Sequence, residues 1–232
     1  ARRAVTHTHV SFSDLRTAAY CARKCYYQRT LPAEEREPPP EVEAIRDLEL
    51  RYETLLDASP DALASEPIAV SPGRYRERLA ATKGRLEEAG HWNRLRNPTD
   101  RDVFATGRHC RGIVHKVLAE PLEPALVSAG APPETGVWQS QSVHAVAAAK
   151  ALSWEHQESV ERAWLEYPAH GVIRAVDMTT RRKAQYRSAL RTVRELDGPP
   201  PRTDSSSKCD ACEFAPKCGV KTRTLRSLLG LG

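Results

Sequence analysis

Residues 209–218 read CDACEFAPKC, which places Cys209, Cys212 and Cys218 in one short stretch near the end of the chain. Thiolates spaced this closely can converge on a single metal centre. Three thiolates leave a tetrahedral site or a cubane cluster one ligand short. A second cysteine pair, Cys21 and Cys25, lies near the opposite end of the chain, and we expect it to supply the fourth ligand.

Joining the two ends of the chain has an entropic cost. Holding Cys21 beside Cys209 closes a loop of 188 residues, which costs roughly 4–5 kcal/mol. A metal–thiolate site can offset that cost because its binding energy contributes to folding. The cysteine spacing therefore predicts one domain, residues 1–232, whose ends meet at a metallocofactor.

The composition is that of an ordinary globular protein, with 40% hydrophobic and 28% charged residues. No signal-peptide pattern and no apolar run of about 18–20 residues occurs, so we expect a cytoplasmic chain that does not enter the membrane. Thiols stay reduced in that compartment, which favours metal binding over disulfides. The net charge is +5, and arginine predominates among the 35 basic residues. This suits a nucleic-acid partner, but a GC-rich genome would also favour arginine.

Periodicity and turn residues predict a mixed α/β domain with a small central sheet. Ser13 is the predicted N-cap of a first helix that carries both Cys21 and Cys25. The other predicted helices cover residues 41–56, 72–90, 142–157 and 180–196. The predicted strands cover residues 110–118, 125–128, 160–167 and 172–178, and the last two form a hairpin.

Both ends of the chain resemble a known family. The opening, residues 12–27, has Phe12-Ser13 and Leu15 followed by Tyr20-Cys21, Arg23-Lys24 and Tyr26-Tyr27. This is similar to the "S-x-L…C-P-R-[RK]-x-Y-Y" opening of the RecB-type CRISPR-associated exonucleases. Residues 209–218 resemble that family's closing "C-x2-C-x-[FY]-x3-C". The hairpin segment WLEYPAHGVIRAV is similar to a third stretch of the family.

The resemblance implies a RecB-like PD-(D/E)xK core whose ends are joined by a [4Fe-4S] cluster. Its ligands would be Cys21, Cys209, Cys212 and Cys218, with zinc or free thiols as the alternatives. Cys25 and Cys110 have no counterpart in the family pattern, and we interpret them as buried small side chains. The implied divisions are an N-terminal cysteine helix (11–30), a helical insertion (31–100), a sheet-containing nuclease-like core (101–198) and a cysteine loop with tail (199–232).

The family's nuclease residues are replaced in this sequence. Gly112-Ile-Val-His115 occupies the place of "G-x-x-D", so His115 replaces the aspartate. Ser128 and Gly130 fall at the positions of "E-x-K". Gln141 keeps at most half of the glutamine–tyrosine motif. Neutral imidazole is a poor Mg²⁺ ligand, so Mn²⁺ or Mg²⁺ is implied only if other carboxylates replace the lost ones. The nearby candidates are Glu120, Glu123 and Glu134.

Three functions follow as hypotheses. The favoured one is a DNA-binding iron–sulfur protein whose nuclease site is lost or altered, and whose partners belong to CRISPR adaptation, antiviral defence or DNA repair. The second is an active exonuclease with relocated ligands. The third is a structural or protein-binding module. The candidate DNA-binding residues are Arg23, Lys24, Lys116, Arg181, Arg182 and Lys183, although Lys116 could equally be a solvated neighbour of His115.

Overall fold

A computed structural model describes residues 9–32, 35 and 38–219. Within these residues the chain is α/β, with a mixed open sheet flanked by helices. The part of the predicted cysteine tail beyond residue 219 lies outside the described residues. No helix in the described ranges is long and apolar enough to span a bilayer.

The described residues form ten α-helices and a six-stranded sheet. The helices are α1 (Phe12–Tyr20), α2 (Ala22–Thr30), α3 (Pro40–Asp47), α4 (Tyr52–Asp57), α5 (Pro60–Ala64), α6 (Pro72–Glu88), α7 (Trp92–Arg96), α8 (Gln139–His156), α9 (Thr180–Arg194) and α10 (Ser206–Asp210). The strands are β1 (Val10–Ser11), β2 (Asp100–Thr106), β3 (Cys110–Leu118), β4 (Glu123–Val127), β5 (Arg162–Tyr167) and β6 (Val172–Asp177).

The strands pair in the order β1-β3-β4-β5-β6, and β2 pairs with β3 as well. The β4–β5 and β1–β3 pairs are parallel, and the other pairs are antiparallel. The crossover from β4 to β5 runs through α8, as parallel pairing requires. On β3, β1 pairs with Cys110 and Arg111, whereas β4 pairs with residues 116–118. The two neighbours on this edge of β3 therefore pair with opposite ends of the strand, and residues 112–115 lie between them.

Two apolar clusters cover the sheet. One contains buried residues of α1, α8 and α9 together with Leu165 and Tyr167 of β5. The other contains residues of α4, α6 and α7 together with Trp164 of β5. Alternate residues of β5 therefore contribute to different clusters, which is the signature of a strand buried on both faces.

Several element predictions are confirmed and others are wrong. The helices predicted at 72–90, 142–157 and 180–196 correspond to α6, α8 and α9, and the hairpin corresponds to β5 and β6. The single helix predicted through Cys21 is wrong, because α1 ends at Tyr20 and α2 starts at Ala22. The predicted N-cap is also wrong, since the Asp14 N–H donates to Ser11 Oγ at 3.0 Å. Residues 41–56 form α3, a 3₁₀ turn at Leu48–Arg51 and α4 rather than one helix.

A buried ion network joins the helices before the sheet to the sheet itself. Lys116 of β3 is fully buried and donates to Glu166 Oε1 of β5 at 2.7 Å. It also pairs with Glu49 of the 3₁₀ turn. Glu49 in turn pairs with Arg101 at 2.6 Å and Arg96 at 3.3 Å. The prediction that Lys116 contacts solvent or phosphate is therefore wrong, because its ammonium is enclosed between two carboxylates.

We expect Lys116→Ala to lower the free energy of unfolding by about 3–5 kcal/mol, because it leaves two buried carboxylates without their shared cation. Lys83→Ala is a matched control, since Lys83 pairs with the exposed carboxylates of Glu53 and Glu87. That change should cost less than about 1 kcal/mol. Urea denaturation measures both, and equal small losses would contradict a structural role for the network.

Candidate metal centre and basic cleft

The four predicted cysteine ligands line one small cavity of about 20 Å³. Cys21 reaches it from the junction between α1 and α2, where its extended backbone (φ −159°, ψ 116°) separates the two helices. Cys209 lies in α10, and Cys212 and Cys218 lie in the turns that follow. The fold thus brings together cysteines from both ends of the chain, as the sequence predicts.

Direct contacts hold the cysteine segments against each other. Two hydrogen bonds join Tyr20 and Lys208. The Tyr20 hydroxyl donates to the Lys208 carbonyl at 3.3 Å, and Lys208 Nζ donates to the Tyr20 carbonyl at 2.8 Å. Lys24 pairs with Glu213 at 2.9 Å. The ring of Tyr27 stacks on Phe214 with centroids 5.9 Å apart. The junction therefore has protein contacts of its own, beside whatever the thiols bind.

The surroundings of the cavity suit thiolate ligands. Arg23, Lys24, Arg202 and Lys208 line it, and their positive charge would offset that of several thiolates. Among the described residues, no three His, Cys, Asp or Glu side chains are arranged to hold a single metal ion. The cavity is a candidate on a different ground, since it brings four soft donors together with cations around them.

The remaining two cysteines lie apart from this cavity. Cys25 is buried and its thiol points to the Asp14 carbonyl at 3.6 Å, while the Cys110 thiol points to the Ala147 carbonyl at 3.6 Å. Burial raises the pKa of Cys25 to about 12, so its thiol stays protonated. Their prediction as small buried side chains is confirmed.

A cleft of about 910 Å³ opens next to the cysteine cavity. Its walls come from α1, α2, α3 and the segment after residue 204, and its floor comes from the loop that follows β4 and the start of α8. Ser128 and Gly130, two positions that the family resemblance would assign to nuclease residues, line it together with Gln141. Tyr20, Lys24 and Lys208 line both the cleft and the cysteine cavity.

A chain of hydrogen bonds fixes the floor of the cleft. The Tyr167 hydroxyl donates to Gln141 Oε1 at 2.6 Å, and Gln141 Nε2 donates to Ser128 Oγ at 2.9 Å. The Gly130 N–H also donates to Ser128 Oγ, at 3.3 Å. Gln141 is nearly buried, and its amide is therefore held in one orientation by Tyr167 and Ser128.

His115, at the position of the family aspartate, has a structural partner. Its Nδ1 accepts a hydrogen bond from the Val127 N–H at 3.1 Å, near the point where β3 and β4 cease to pair. The imidazole thus satisfies a backbone donor that the ladder leaves free. Burial, followed by the positive charge of Arg46, lowers the pKa of His115 to about 4. The imidazole is therefore neutral near pH 7.

The three possible substitute carboxylates do not line the cleft. Glu123 is buried, where it pairs with Arg94 at 3.0 Å and accepts a hydrogen bond from Trp164 Nε1 at 2.8 Å. Glu120 lies in the turn between β3 and β4, and Glu134 lies in the loop before α8. The only carboxylate that lines the cleft among the described residues is Glu213, which pairs with Lys24.

Two arginines in the cleft were missed by the sequence analysis. Arg16 lies on the face of α1 that also presents Ser13, Thr17 and Tyr20 to the cleft, and Arg46 extends from α3. The i, i+3, i+4, i+7 spacing of that polar stripe on α1 was the available signal. The position of α3 opposite it had no signal in the sequence.

The predicted basic residues have different environments. Arg23 donates to the Pro200 carbonyl at 2.9 Å, so it belongs to the cysteine junction, as does Lys24. Arg181 is exposed near the start of α9, while Arg182 and Lys183 are partly buried. Arg182 donates to the Asp177 carbonyl at 2.9 Å. The start of α9 is thus a basic surface distinct from the residues that line the cleft.

Comparison with known proteins adds no assignment. No protein-family model matches the sequence, and no curated protein is similar to it at a significant level.

The lowered pKa of His115 predicts a pH dependence of stability. In the unfolded chain His115 has a pKa near 6.5, whereas in the folded protein its pKa is about 4. Between these values the unfolded state binds more protons, so the free energy of unfolding should fall as the pH drops from 6.5 to 4. In His115→Asn the amide oxygen can accept the hydrogen bond from the Val127 N–H. The decrease in the free energy of unfolding between pH 7 and pH 4 should then be smaller by about 2–3 kcal/mol. Urea denaturation between pH 7 and pH 4 measures it.

His156→Asn is the control, because it removes an exposed histidine at the end of α8. A pH profile that is unchanged by His115→Asn would contradict the neutral, buried state of His115.

Proposed function

We propose that this chain is a DNA-binding protein with a RecB-like fold that lacks the metal-dependent nuclease chemistry of the family it resembles. The observation that carries the proposal is the composition of the cleft. The cleft contains the positions Ser128 and Gly130, yet among the described residues its only carboxylate, Glu213, is neutralised by Lys24.

The chemistry of the cleft fits phosphate better than a hard cation. Phosphodiester hydrolysis with Mg²⁺ or Mn²⁺ needs several carboxylate oxygens around the metal and benefits from a nearby lysine. Among its described lining residues the cleft presents hydroxyls, amides and four cations, which are Arg16, Lys24, Arg46 and Lys208, with a single carboxylate. Guanidinium groups bind phosphate in a bidentate manner, and such contacts give salt-dependent affinity for nucleic acid.

The alternative of an active exonuclease with relocated ligands has less support. It requires Glu120, Glu123 or Glu134 to reach a metal in the cleft, and none of them lines it. Glu123 would also have to leave Arg94 and Trp164. A third possibility, a purely structural or protein-binding module, leaves the basic cleft without a role.

We also propose that Cys21, Cys209, Cys212 and Cys218 hold a [4Fe-4S] cluster. Their common cavity and the cations around it support a shared cofactor with several negative thiolates. When bound, the cluster would supply a covalent link between α1–α2 and the cysteine loop. Since Tyr20, Lys24 and Lys208 also line the cleft, this link would hold one wall of the DNA-binding surface in place. Proteins of CRISPR adaptation or DNA repair are the partners that the resemblance suggests.

The test of function uses anaerobically purified protein on labelled single- and double-stranded DNA. We expect binding in EDTA that weakens steeply with salt, and no strand degradation when Mn²⁺ or Mg²⁺ is added. Cleavage that depends on the metal would support the relocated nuclease site instead, and Glu120→Gln, Glu123→Gln and Glu134→Gln would identify its ligand. If the protein neither binds nor cleaves DNA, the result would support the structural or protein-binding module.

The test of the cofactor is Cys212→Ser. We expect loss of the brown colour, of bound iron and of acid-labile sulfide, together with a lower midpoint of thermal unfolding, because cofactor binding energy contributes to folding. Cys25→Ala is the control and should keep its iron, since Cys25 lies outside the cavity. Bound zinc without sulfide would assign a zinc site, and native stability in Cys212→Ser would contradict the link between the chain ends.

A further inference from the structure

Two arginines that line the cleft, Arg16 and Arg46, form no ion pair with any other described residue. Six other arginines do form ion pairs. The paired ones are Arg29, Arg51, Arg94, Arg96, Arg101 and Arg162. Arg16 and Arg46 belong to the same cleft from opposite helices. The pKa of Arg16 is lowered, first by partial desolvation inside the cleft and then by the positive charge of Arg46, although the Arg16 side chain still contacts solvent. Two like charges held together without a counter-ion favour an anionic ligand.

Arg46 has an unused donor. Its Nε is buried from solvent and has no hydrogen-bond partner among the described residues. A buried donor without an acceptor costs free energy, and a rotation of the Arg46 side chain toward an anion in the cleft would satisfy it. The flat guanidinium presents donors that suit two oxygens of one phosphate.

Ser128 on the floor of the cleft has a free donor too. Its oxygen already accepts hydrogen bonds from Gln141 Nε2 and from the Gly130 N–H. A hydroxyl has two acceptor positions and one donor, so both acceptor positions are used and the proton remains available. Since Ser128 lines the cleft, this donor can serve a ligand there.

The start of α8 adds a positive electrostatic field that favours an anion in the cleft. This helix has 18 residues, no acidic residue in its first turn and no side-chain cap on Trp138. Residues 139–141 of its first turn line the cleft. Their backbone N–H groups have no partner within the helix, and the helix dipole is positive at this end.

We propose that Arg16, Arg46 and the Ser128 hydroxyl form a binding site for a phosphate dianion, and that its occupant is the terminal phosphate of a DNA strand. This inference rests on the proposed function and specifies its ligand. A terminal phosphate carries up to two negative charges near neutral pH, whereas an internal phosphodiester carries one. Two unpaired guanidinium groups match the dianion.

Trp138 supports a strand end over an isolated phosphate ion. Its side chain is 51% exposed and lines the cleft, and its indole N–H is fixed by a 2.8 Å hydrogen bond to the Ala131 carbonyl. An exposed, oriented indole face can stack on a base next to the bound phosphate.

The experiment measures binding of internally labelled oligonucleotides with a 5′-phosphate, a 3′-phosphate or hydroxyls at both ends, in EDTA. We expect one phosphorylated end to bind about tenfold more tightly than the hydroxyl form, since an end that carries the extra charge gains charge-assisted hydrogen bonds. Arg46→Gln and, independently, Arg16→Gln should reduce this preference to about twofold or less. Thermal unfolding of each variant verifies the fold.

Arg74→Gln is the matched control, because it removes the same charge from the exposed face of α6 and does not line the cleft. It should keep the full preference for the phosphorylated end. Trp138→Ala should weaken binding of all three strand forms, while binding of inorganic phosphate, measured by its competition with the phosphorylated strand, should be unchanged.

The outcomes separate this inference from the proposed function. Equal affinity for all three strand forms would overturn the terminal-phosphate site and leave DNA binding intact. Binding of inorganic phosphate that depends on Arg46, without binding of any strand, would overturn both the strand end as occupant and the proposed function. No binding of either ligand would overturn the whole assignment.

Discussion

The contact between the first two helices and the cysteine loop is the constraint on which the functional surfaces depend. Tyr20 and Lys208 are separated by 188 residues, yet each bonds to the backbone of the other. The same contact closes the cysteine cavity on one side and forms part of the cleft on the other. Closing so long a loop costs roughly 4–5 kcal/mol, so a cofactor that links the ends would stabilise the cleft as well as the fold.

A second constraint operates on the other side of the sheet. Lys116, Glu166 and Glu49 place charge in the interior, where removing one partner is costly. This network ties the 3₁₀ turn between α3 and α4 to β3 and β5. Because Arg46 belongs to α3, just before that turn, the buried network also helps to position one wall of the cleft. The two surfaces of the sheet are thereby linked to the same site.

The floor of the cleft is built from neutral groups. Ser128 and Gly130 lie where the proposed family relationship would place one carboxylate and one lysine, and the floor is fixed by neutral hydrogen bonds through Gln141 and Tyr167. His115 serves the backbone of β4. The described lining of the cleft has cations and a single, paired carboxylate, which is the basis of the functional proposal.

Local patterns in the sequence were sufficient for the elements with strong periodicity. The helices α6, α8 and α9 and the strands β3, β5 and β6 follow from their apolar spacing and turn residues, and the cysteine spacing predicted that the chain ends meet. β2 escaped prediction because its sequence, DRDVFAT, lacks apolar alternation and is largely exposed. Its pairing with β3 depends on a partner, which a local pattern does not contain.

The amino-acid sequence by itself determined the cysteine framework and the main helices and strands, because each depends on residue type and short spacing. Only the tertiary structure decided that Cys21 separates two helices, that Lys116 is buried between Glu49 and Glu166, and that Arg16 and Arg46 share a cleft. These features arise from contacts between distant segments, whose geometry is set by packing of the whole chain.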